Sequence, residues 1–490
     1  MGVYDSSNPS DWAALDGIYI DETSPPPSVT GVPTSVAILV GQFERGSGAL
    51  QSVGSTGELY ELYGNNLNYS GNVALQNKQF GLLNVVRVIA SQTDDVAVAA
   101  SITLAYSTGP VSIIEFTALW EGAYGNNITV AVAAGSVSGS KYTIHDGNPN
   151  AVFPDEVYDN VVITSINVGH NPFANSNLVA ATVIATSHEP SAASATAMSG
   201  GSDGTIESAD YQAAIAETQV AGAGNILFLD VYSTTYNGYL KTSMAAANDK
   251  MAVLANASNS ASASAVITDV ATYRDAVGRM IYAFPGVYTT IAGISTLVSP
   301  APFYASLLSQ IAPQIDPAYA ANTQFLQGIE SLAVTLQRSD YINLAAAGIS
   351  AFEIDPDVGP KVKSGVVTQI ANSSLIMVFR RRMTDYIIQS LAKYLVNYQN
   401  AVNSQDNRTT VGASITAFNS LLESGGQVPK DSEVQSGKAS LIDTQSLNTD
   451  GSVGAGYFKI LYKRRIYSSM RFIVLQAEIG ETVVVTESNG

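Results

Sequence analysis

The sequence contains no cysteine. Disulfides, thiolate metal sites and cysteine nucleophiles are therefore excluded. Such a chain suits a reducing cytoplasm, or a protein that must work in any redox setting. Charge is scarce too: Asp, Glu, Lys and Arg make up 13% of the residues, against about 25% in an ordinary soluble protein. The surface must then be neutral, built of Ser, Thr, Asn and Gly, or be buried against partners as in an obligate polymer. Basic residues are the scarcer sign, 23 against 41 acidic, which leaves a net charge of −18. Direct nucleic-acid binding is disfavoured, because it needs clustered Lys and Arg against phosphates. The longest apolar runs, such as 36–40 and 82–90, are broken far short of the roughly 20 residues a membrane span needs. Met1 is followed by a polar stretch at 5–11, not by a basic region and an apolar core, so no signal peptide is expected.

What is present points to several domains. The chain has 490 residues, 46% of them hydrophobic, and single cores stop growing at roughly 250–300 residues. Residues 1–35 hold few core signals. Gly17, Ile18, Tyr19, Ile20, Asp21 and Glu22 alternate weakly and read as a short strand, and Pro25, Pro26 and Pro27 then stiffen the chain. A lone strand on a stiff leader needs a sheet edge, in its own chain or in a neighbour. Strands at 35–40 and 82–89, with helix-like pieces at 56–62 and 73–80, make an α/β start. Residues 91–200 turn rich in Val, Ile, Thr, Ser, Gly and Asn, with short alternating runs at 101–106, 111–116, 128–133, 161–168 and 178–186. That spacing predicts a β-sandwich or a barrel-like domain. Between 205 and 315, strands at 226–229, 252–255 and 280–284 alternate with helices at 240–251, 263–273 and 302–311. This predicts βαβ units and a mostly parallel sheet. Further on, Met383, Ile387, Leu391, Tyr394 or Leu395, and Tyr398 recur at helical spacing, as do Val411, Ile415, Phe418, Leu421 and Leu422. Asn407 is placed to cap the second helix and Gly425-Gly426 to end it. Strands are expected at 457–463, 471–477 and 481–487. The last, which includes Thr482, Val483, Val484, Val485 and Thr486, is β-branched and again wants an edge.

No chemistry is visible. His145, His170 and His188 all lie in the Gly/Asn/Ser-rich β segment, without carboxylates at metal-ligand spacing, and read as exposed loop residues. Glu353, Asp355 and Asp357 alternate before Gly359 but lack the pattern of a calcium loop, so a solvated turn is the plainer reading. Gly222-Ala223-Gly224 precedes its strand, whereas phosphate loops follow one. No catalytic, cofactor-binding or metal-binding residue is assigned. Two basic runs stand out, Arg380-Arg381-Arg382 and Lys463-Arg464-Arg465. The first sits at a helix start, where the dipole disfavours cations. It hints at an external anionic partner, unless these cations are simply solvated or paired within the molecule. The charge is also uneven. From residue 361 onward there are 14 Lys+Arg and 10 Asp+Glu, a balance of +4; before it, 9 and 31 give −22. Either the two parts face different surroundings or one exposed domain is acidic for solubility.

The pieces together resemble the contractile-tail sheath proteins of myophages, R-type bacteriocins and related injection systems. The stretch 17–22, followed by Gly31-Val32-Pro33-Thr34-Ser35-Val36-Ala37-Ile38-Leu39-Val40-Gly41, is similar to that family's opening G-V-Y-x-x-E…G-V-x-T-S-V-A-x-x-V-G. Leu62-Tyr63-Gly64 and Val85-Val86-Arg87-Val88 follow in order. Glu121-Gly122-Ala123-Tyr124-Gly125-Asn126-Asn127-Ile128 resembles its G-x-W/Y-G-N-x-I element, and Ser199-Gly200-Gly201-Ser202-Asp203-Gly204 its L-x-G-G-x-D-G junction. Arg380 to Ile387 resembles the start of its long C-terminal helix.

The resemblance implies a multidomain protein of mixed α/β and β class. An α+β inner domain would be built from both chain ends, with an inserted α/β domain, an outer β-rich domain and extended terminal arms. On this sequence the parts are an N-terminal arm at 1–32, inner-domain pieces at 33–90 and 321–479, an outer domain at 91–204, an α/β middle domain at 205–320 and a C-terminal arm at 480–490. It further implies stacked hexameric rings of this chain around an inner tail tube. Strands would be donated between copies, with baseplate and tail terminator proteins as further partners and no cofactor, nucleic acid or membrane contact. The place of action would be a virion tail assembled in the host bacterial cytoplasm. Within that picture the 361–490 region lies inward, and Arg380, Arg381, Arg382, Lys393, Lys463, Arg464 and Arg465 are the candidates to face the tube. The competing expectations are an enzyme built on 205–315, which lacks candidate residues, and a surface adhesin built on 91–200, which would need a secretion signal.

Overall fold

The computed structural model describes residues 3–5, 18–20, 28–68, 80, 82–91, 95–108, 111–149, 151–247, 249–274, 277–369, 375–430 and 440–469. Its centre is one eight-stranded sheet. The spatial order is Gly359–Val362, Ile349–Asp355, Met280–Phe284, Met251–Leu254, Ile226–Leu229, Val36–Gly41, Leu82–Arg87 and Gln51–Val53. The six inner strands run parallel, and an antiparallel strand closes each edge. Ile226–Leu229, Met251–Leu254 and Met280–Phe284 are buried at every position. Continuous apolar runs of this kind belong to a parallel sheet covered on both faces. The helix Ala301–Gln310, buried from Ala301 to Ser309, supplies part of that cover.

This topology corrects the expected division of the chain. Residues 33–90 and 205–320 do not form separate bodies, because Val36–Gly41 pairs along its whole length with Leu82–Arg87 on one side and with Ile226–Leu229 on the other. The sheet also takes in Ile349–Asp355 and Gly359–Val362, which the boundary at 320 had set apart. A strand that is apolar on both faces announces that it is central; it does not announce its neighbours. The helix expected at 240–251 is Thr234–Ala247, since Met251 already opens a strand.

Residues 95–204 are inserted between Leu82–Arg87 and the helix Ser208–Glu217 as a β-sandwich. One sheet has the order Glu156–Val161, Ser140–Asp146, Ile128–Ala134, Ala193–Ala197; the other has Val179–Val183, Val111–Ala118, Ser101–Tyr106. All pairings are antiparallel, and burial alternates along Ser140–Asp146 as a strand with one face on a core requires. Phe116 from one sheet and Tyr142 from the other meet on Phe173, each with ring centroids 5.1 Å away. The strand expected at 161–168 is replaced: the strand there is Glu156–Val161, and a 3-10 turn over Ile163–Ser165 tucks Ile163 into this core.

The third body holds the helices Val378–Leu395 and Gln405–Ser424. Met383, Ile387, Leu391 and Tyr394 pack with Val411, Ile415, Phe418 and Leu422 as their spacing predicts, while Leu421 points outward. The second helix is capped by Ser404, whose Oγ accepts from Asn407 N, so Asn407 lies inside it. Of the strand expected at 457–463, Ile460–Leu461 is paired, with Leu441–Ile442. At the N-terminus, Ile18–Ile20 pairs in parallel with Val3–Asp5 in a two-stranded sheet of its own. Gly17, Asp21, Glu22, the C-terminal Thr482, Val483, Val484, Val485 and Thr486, the helix-like piece at 73–79 and the strand expected at 471–477 lie outside the described residues.

The sandwich has its own core, so it is expected to melt as its own transition. Phe173→Ala should lower that transition by about 3–5 kcal/mol, the cost of emptying a buried aromatic site, and leave the main-sheet transition in place. Differential scanning calorimetry checks both statements.

Candidate functional site

In an open α/β sheet the crevice for a ligand lies at the carboxyl ends of the strands, where the winding reverses. Here that point falls between Val36–Gly41 and Ile226–Leu229, and a buried carboxylate fills it. Asp230 accepts from Gln42 N at 2.7 Å, Tyr211 Oη at 2.8 Å, Asn68 Nδ2 at 3.0 Å and Asn66 Nδ2 at 3.4 Å. Burial raises the pKa of Asp230, and these donors oppose the shift. Gly41 faces it so closely that a Cβ there would lie 2.8 Å from the carboxylate. The crevice is therefore packed from within, and the residues lining it act on one another. The sequence reading missed Asp230; its signal was an acid directly after the fully buried run Ile226–Leu229.

The other titratable candidates are scattered. His145 pairs with Asp155 at 2.5 Å, with both side chains about half exposed. His188 stacks on Tyr106, and His170 is exposed. Glu353 and Asp355 both pair with Lys361, and Asp355 also accepts from Asp357 N. Among the described residues no three His, Asp or Glu side chains are grouped to hold a metal ion.

Two of the quoted motifs do come together, at the junction of sandwich and sheet. Asn126 and Gly201 exchange two hydrogen bonds of 2.8 Å, and Asp203 accepts from Ala123 N at 3.0 Å. Gly122 has φ 123°, and a Cβ there would lie 2.5 Å from Asp203 Oδ1, so only glycine fits. Two buried arginines fasten the joint. Arg87, at the end of its strand, donates to the carbonyls of Phe43, Gly46 and Glu121 at 3.1, 3.2 and 2.8 Å. Burial lowers its pKa. Arg45 donates to Tyr60 O at 2.7 Å and lies 4.5 Å from the centre of the Tyr124 ring. A cleft of about 230 Å³ runs beside it, lined by Glu44, Tyr124, Asn148 and Asp203 among others.

The basic runs divide into inward and outward members. Arg381 and Arg382 are each only 5% exposed, which corrects their assignment to a partner-facing surface. Arg381 pairs with Asp385 one turn along, and Asp385 also binds Arg279, just before the central strand Met280–Phe284, at 2.7 Å. Arg382 has no carboxylate partner among the described residues. Its Nη2 donates to the carbonyls of Leu308 and Ile311, at 2.7 and 3.0 Å, where the helix Ala301–Gln310 ends. The negative end of the helix dipole stands in for a counterion, and burial lowers the Arg382 pKa to about 10. Arg464 is also turned inward, bound to Glu423 at 2.6 Å. Arg380 and Lys463 are half-buried, and Lys393 and Arg465 are exposed.

Asp385→Ala would remove the carboxylate that two buried guanidinium groups share and is expected to cost about 3–5 kcal/mol. Lys393→Ala, on the exposed side of the same helix, should stay within about 0.5 kcal/mol. Urea unfolding of the two variants compares them directly.

No protein-family profile matches this sequence. No curated protein matches it either. Solved structures match in fold. A sheath tail protein from Listeria innocua is similar at TM-score 0.61 and 15% identity, over 81% of this chain and 86% of that one. A sheath tail protein from Desulfitobacterium hafniense is similar at TM-score 0.58 and 16% identity, over 84% and 90%. The helical sheath of the anti-feeding prophage, in its contracted state, is similar at TM-score 0.57 and 14% identity, over 95% and 99%. Central sheet, inserted sandwich and C-terminal helical body thus make up a mixed α/β, multi-sheet chain with the fold of the sheath proteins of phage-like tails and contractile injection systems.

Proposed function

We propose that this chain is the repeating structural subunit of a contractile sheath. The observation that carries the reading is the likeness over 95% of the chain to a helical sheath in its contracted state. Copies stack as hexameric rings around an inner tail tube, and the sleeve shortens as subunits rotate against one another as rigid bodies. The work comes from the difference in interface between the two packings, so the role is structural and not enzymatic.

In this reading the sandwich lies outward and the body after residue 375 lies inward, toward the tube. The cations left to face the tube are Arg380, Lys393, Lys463 and Arg465. Strands near both chain ends pair with other copies. Baseplate and terminator proteins close the sleeve, and the subunit touches neither nucleic acid nor membrane. The assembly is the tail of a virion, built in a bacterial host and used for genome ejection. A sheath of a bacterial injection system or R-type bacteriocin is the second reading, favoured by the likeness to the anti-feeding prophage.

Electron microscopy of the purified chain tests the reading: tubes or six-fold rings are expected, and a persistent monomer at high concentration overturns it. Deletion of residues 1–24 should abolish polymers and leave a folded, soluble subunit; normal tubes from the truncated chain would remove the arm model. Reversing Lys393 and Arg465 to Glu should weaken co-assembly with the inner tube and leave the unfolding temperature unchanged, since exposed charges contribute little to stability. Unchanged co-sedimentation with the tube would show that the inward face is elsewhere.

A further inference from the structure

We propose that residues 29–34 form a clasp on the helix Val378–Leu395 that fixes the direction in which the N-terminal arm leaves the subunit, and that the same helix also holds the outgoing C-terminal segment. The proposal rests on the sheath reading, in which the arms reach other copies, and it names the residues that aim them.

The contacts follow one side of the helix. Arg382, Tyr386 and Ser390 are spaced four residues apart, so they line a single face. Ser390 Oγ accepts from Val32 N at 3.1 Å and donates to Tyr386 O at 2.6 Å. Gly31 lies on the Tyr386 ring so closely that a Cβ would be 2.2 Å from Oη and 2.8 Å from Cζ. Val29 is buried in the core of this body together with Ile387 and Leu391. Arg382 Nη2 reaches Thr34 O at 3.4 Å, with the same nitrogen that binds the end of the helix Ala301–Gln310. The linker is thus held by an apolar anchor, a hydrogen bond and a close backbone approach before it enters Val36–Gly41. At the other end of the chain, Arg380 Nε donates to Tyr467 O at 3.3 Å.

A linker that only joined a loose leader to a strand would need none of this. Terminal segments stay poorly ordered unless they are tied down. Tying this one down orients the arm before it meets a neighbour, which lowers the ordering cost of each connection in a mesh.

The test uses the full chain with Gly31→Ala, Ser390→Ala, and Gly31→Ala combined with Tyr386→Leu, which vacates the space of the ring tip. Three quantities are measured: the unfolding temperature, hydrogen exchange of the Val32 amide in the monomer, and the critical concentration for tubes. Gly31→Ala is expected to leave the unfolding temperature unchanged, to speed Val32 exchange and to raise the critical concentration about tenfold. The double variant should recover part of the assembly. Tubes at the wild-type concentration from Gly31→Ala would overturn the proposal. So would a fall in unfolding temperature that parallels the loss of tubes, because the contact would then be ordinary core. If the wild-type chain forms no tubes, the sheath reading fails by itself, and exchange still decides the clasp. Val32 protected in the wild type and exposed in Ser390→Ala upholds it; equal exchange in both sinks it.

Discussion

The buried ionic joint around Asp385 is the constraint on which the arrangement of the bodies depends. Arg279 directly precedes the central strand Met280–Phe284, Arg381 and Arg382 belong to the C-terminal helix, and Asp385 binds both Arg279 and Arg381. Taking such groups out of water is expensive, and an apolar contact of similar size would often hold as well. What a guanidinium adds is geometry. Its fork of donors is satisfied in one relative placement of sheet and helix, so the two bodies cannot slide past each other without leaving buried donors empty. Arg87 and Arg45 do the same where the sandwich meets the sheet. A chain with so little charge has placed several of its few arginines at the seams between its bodies. In the sheath reading proposed above, where each subunit would turn as one piece, stiff seams are the property to expect.

A doubly wound sheet ordinarily invites the thought of an enzyme, and the present one shows why fold alone does not carry function. The crevice is where it should be. Its occupants are Gln42, Asn66, Asn68 and Tyr211, all turned onto Asp230. Polar groups that would meet a ligand in a catalytic relative are here saturated by each other. That stabilises the crossing of two segments distant in sequence, residues 36–68 and 211–230.

The sequence made some of this legible and hid the rest for identifiable reasons. Runs such as Ile226–Leu229 and Met280–Phe284 announced central parallel strands, because only a sheet covered on both faces tolerates four or five apolar residues in a row. Helical spacing gave the core of the C-terminal body nearly residue for residue, with Leu421 the exception. Pairing partners were not legible, so one sheet looked like two domains. Ser140–Asp146 was overlooked because Lys141, His145 and Asp146 masked the inward alternation of Tyr142 and Ile144. Arg381 and Arg382 were placed correctly on a helix and wrongly on a surface. Asp385, four residues after Arg381, was a local hint of an internal pair; Arg382 offered none, since the carbonyls it binds lie more than 70 residues away in the chain.

That last error changes what the charge asymmetry means. A count of +4 from residue 361 onward treats every cation as surface charge. Yet Lys361 and Lys363 pair with Glu353, Arg408 with Asp443 and Arg464 with Glu423, while Arg381 and Arg382 are buried. The outward excess that remains is small and is screened within about 10 Å at ordinary ionic strength. Around it the two long helices and the turn after the first present Ile388, Leu421 and Val396 to solvent, each at least 49% exposed. In the sheath reading proposed above, an inward face of this kind would hold a tube less by net charge than by shape and by a few apolar side chains set among neutral ones. Such a grip tolerates a sliding or detaching partner better than a lattice of fixed ion pairs, because no buried charge is stranded when it lets go.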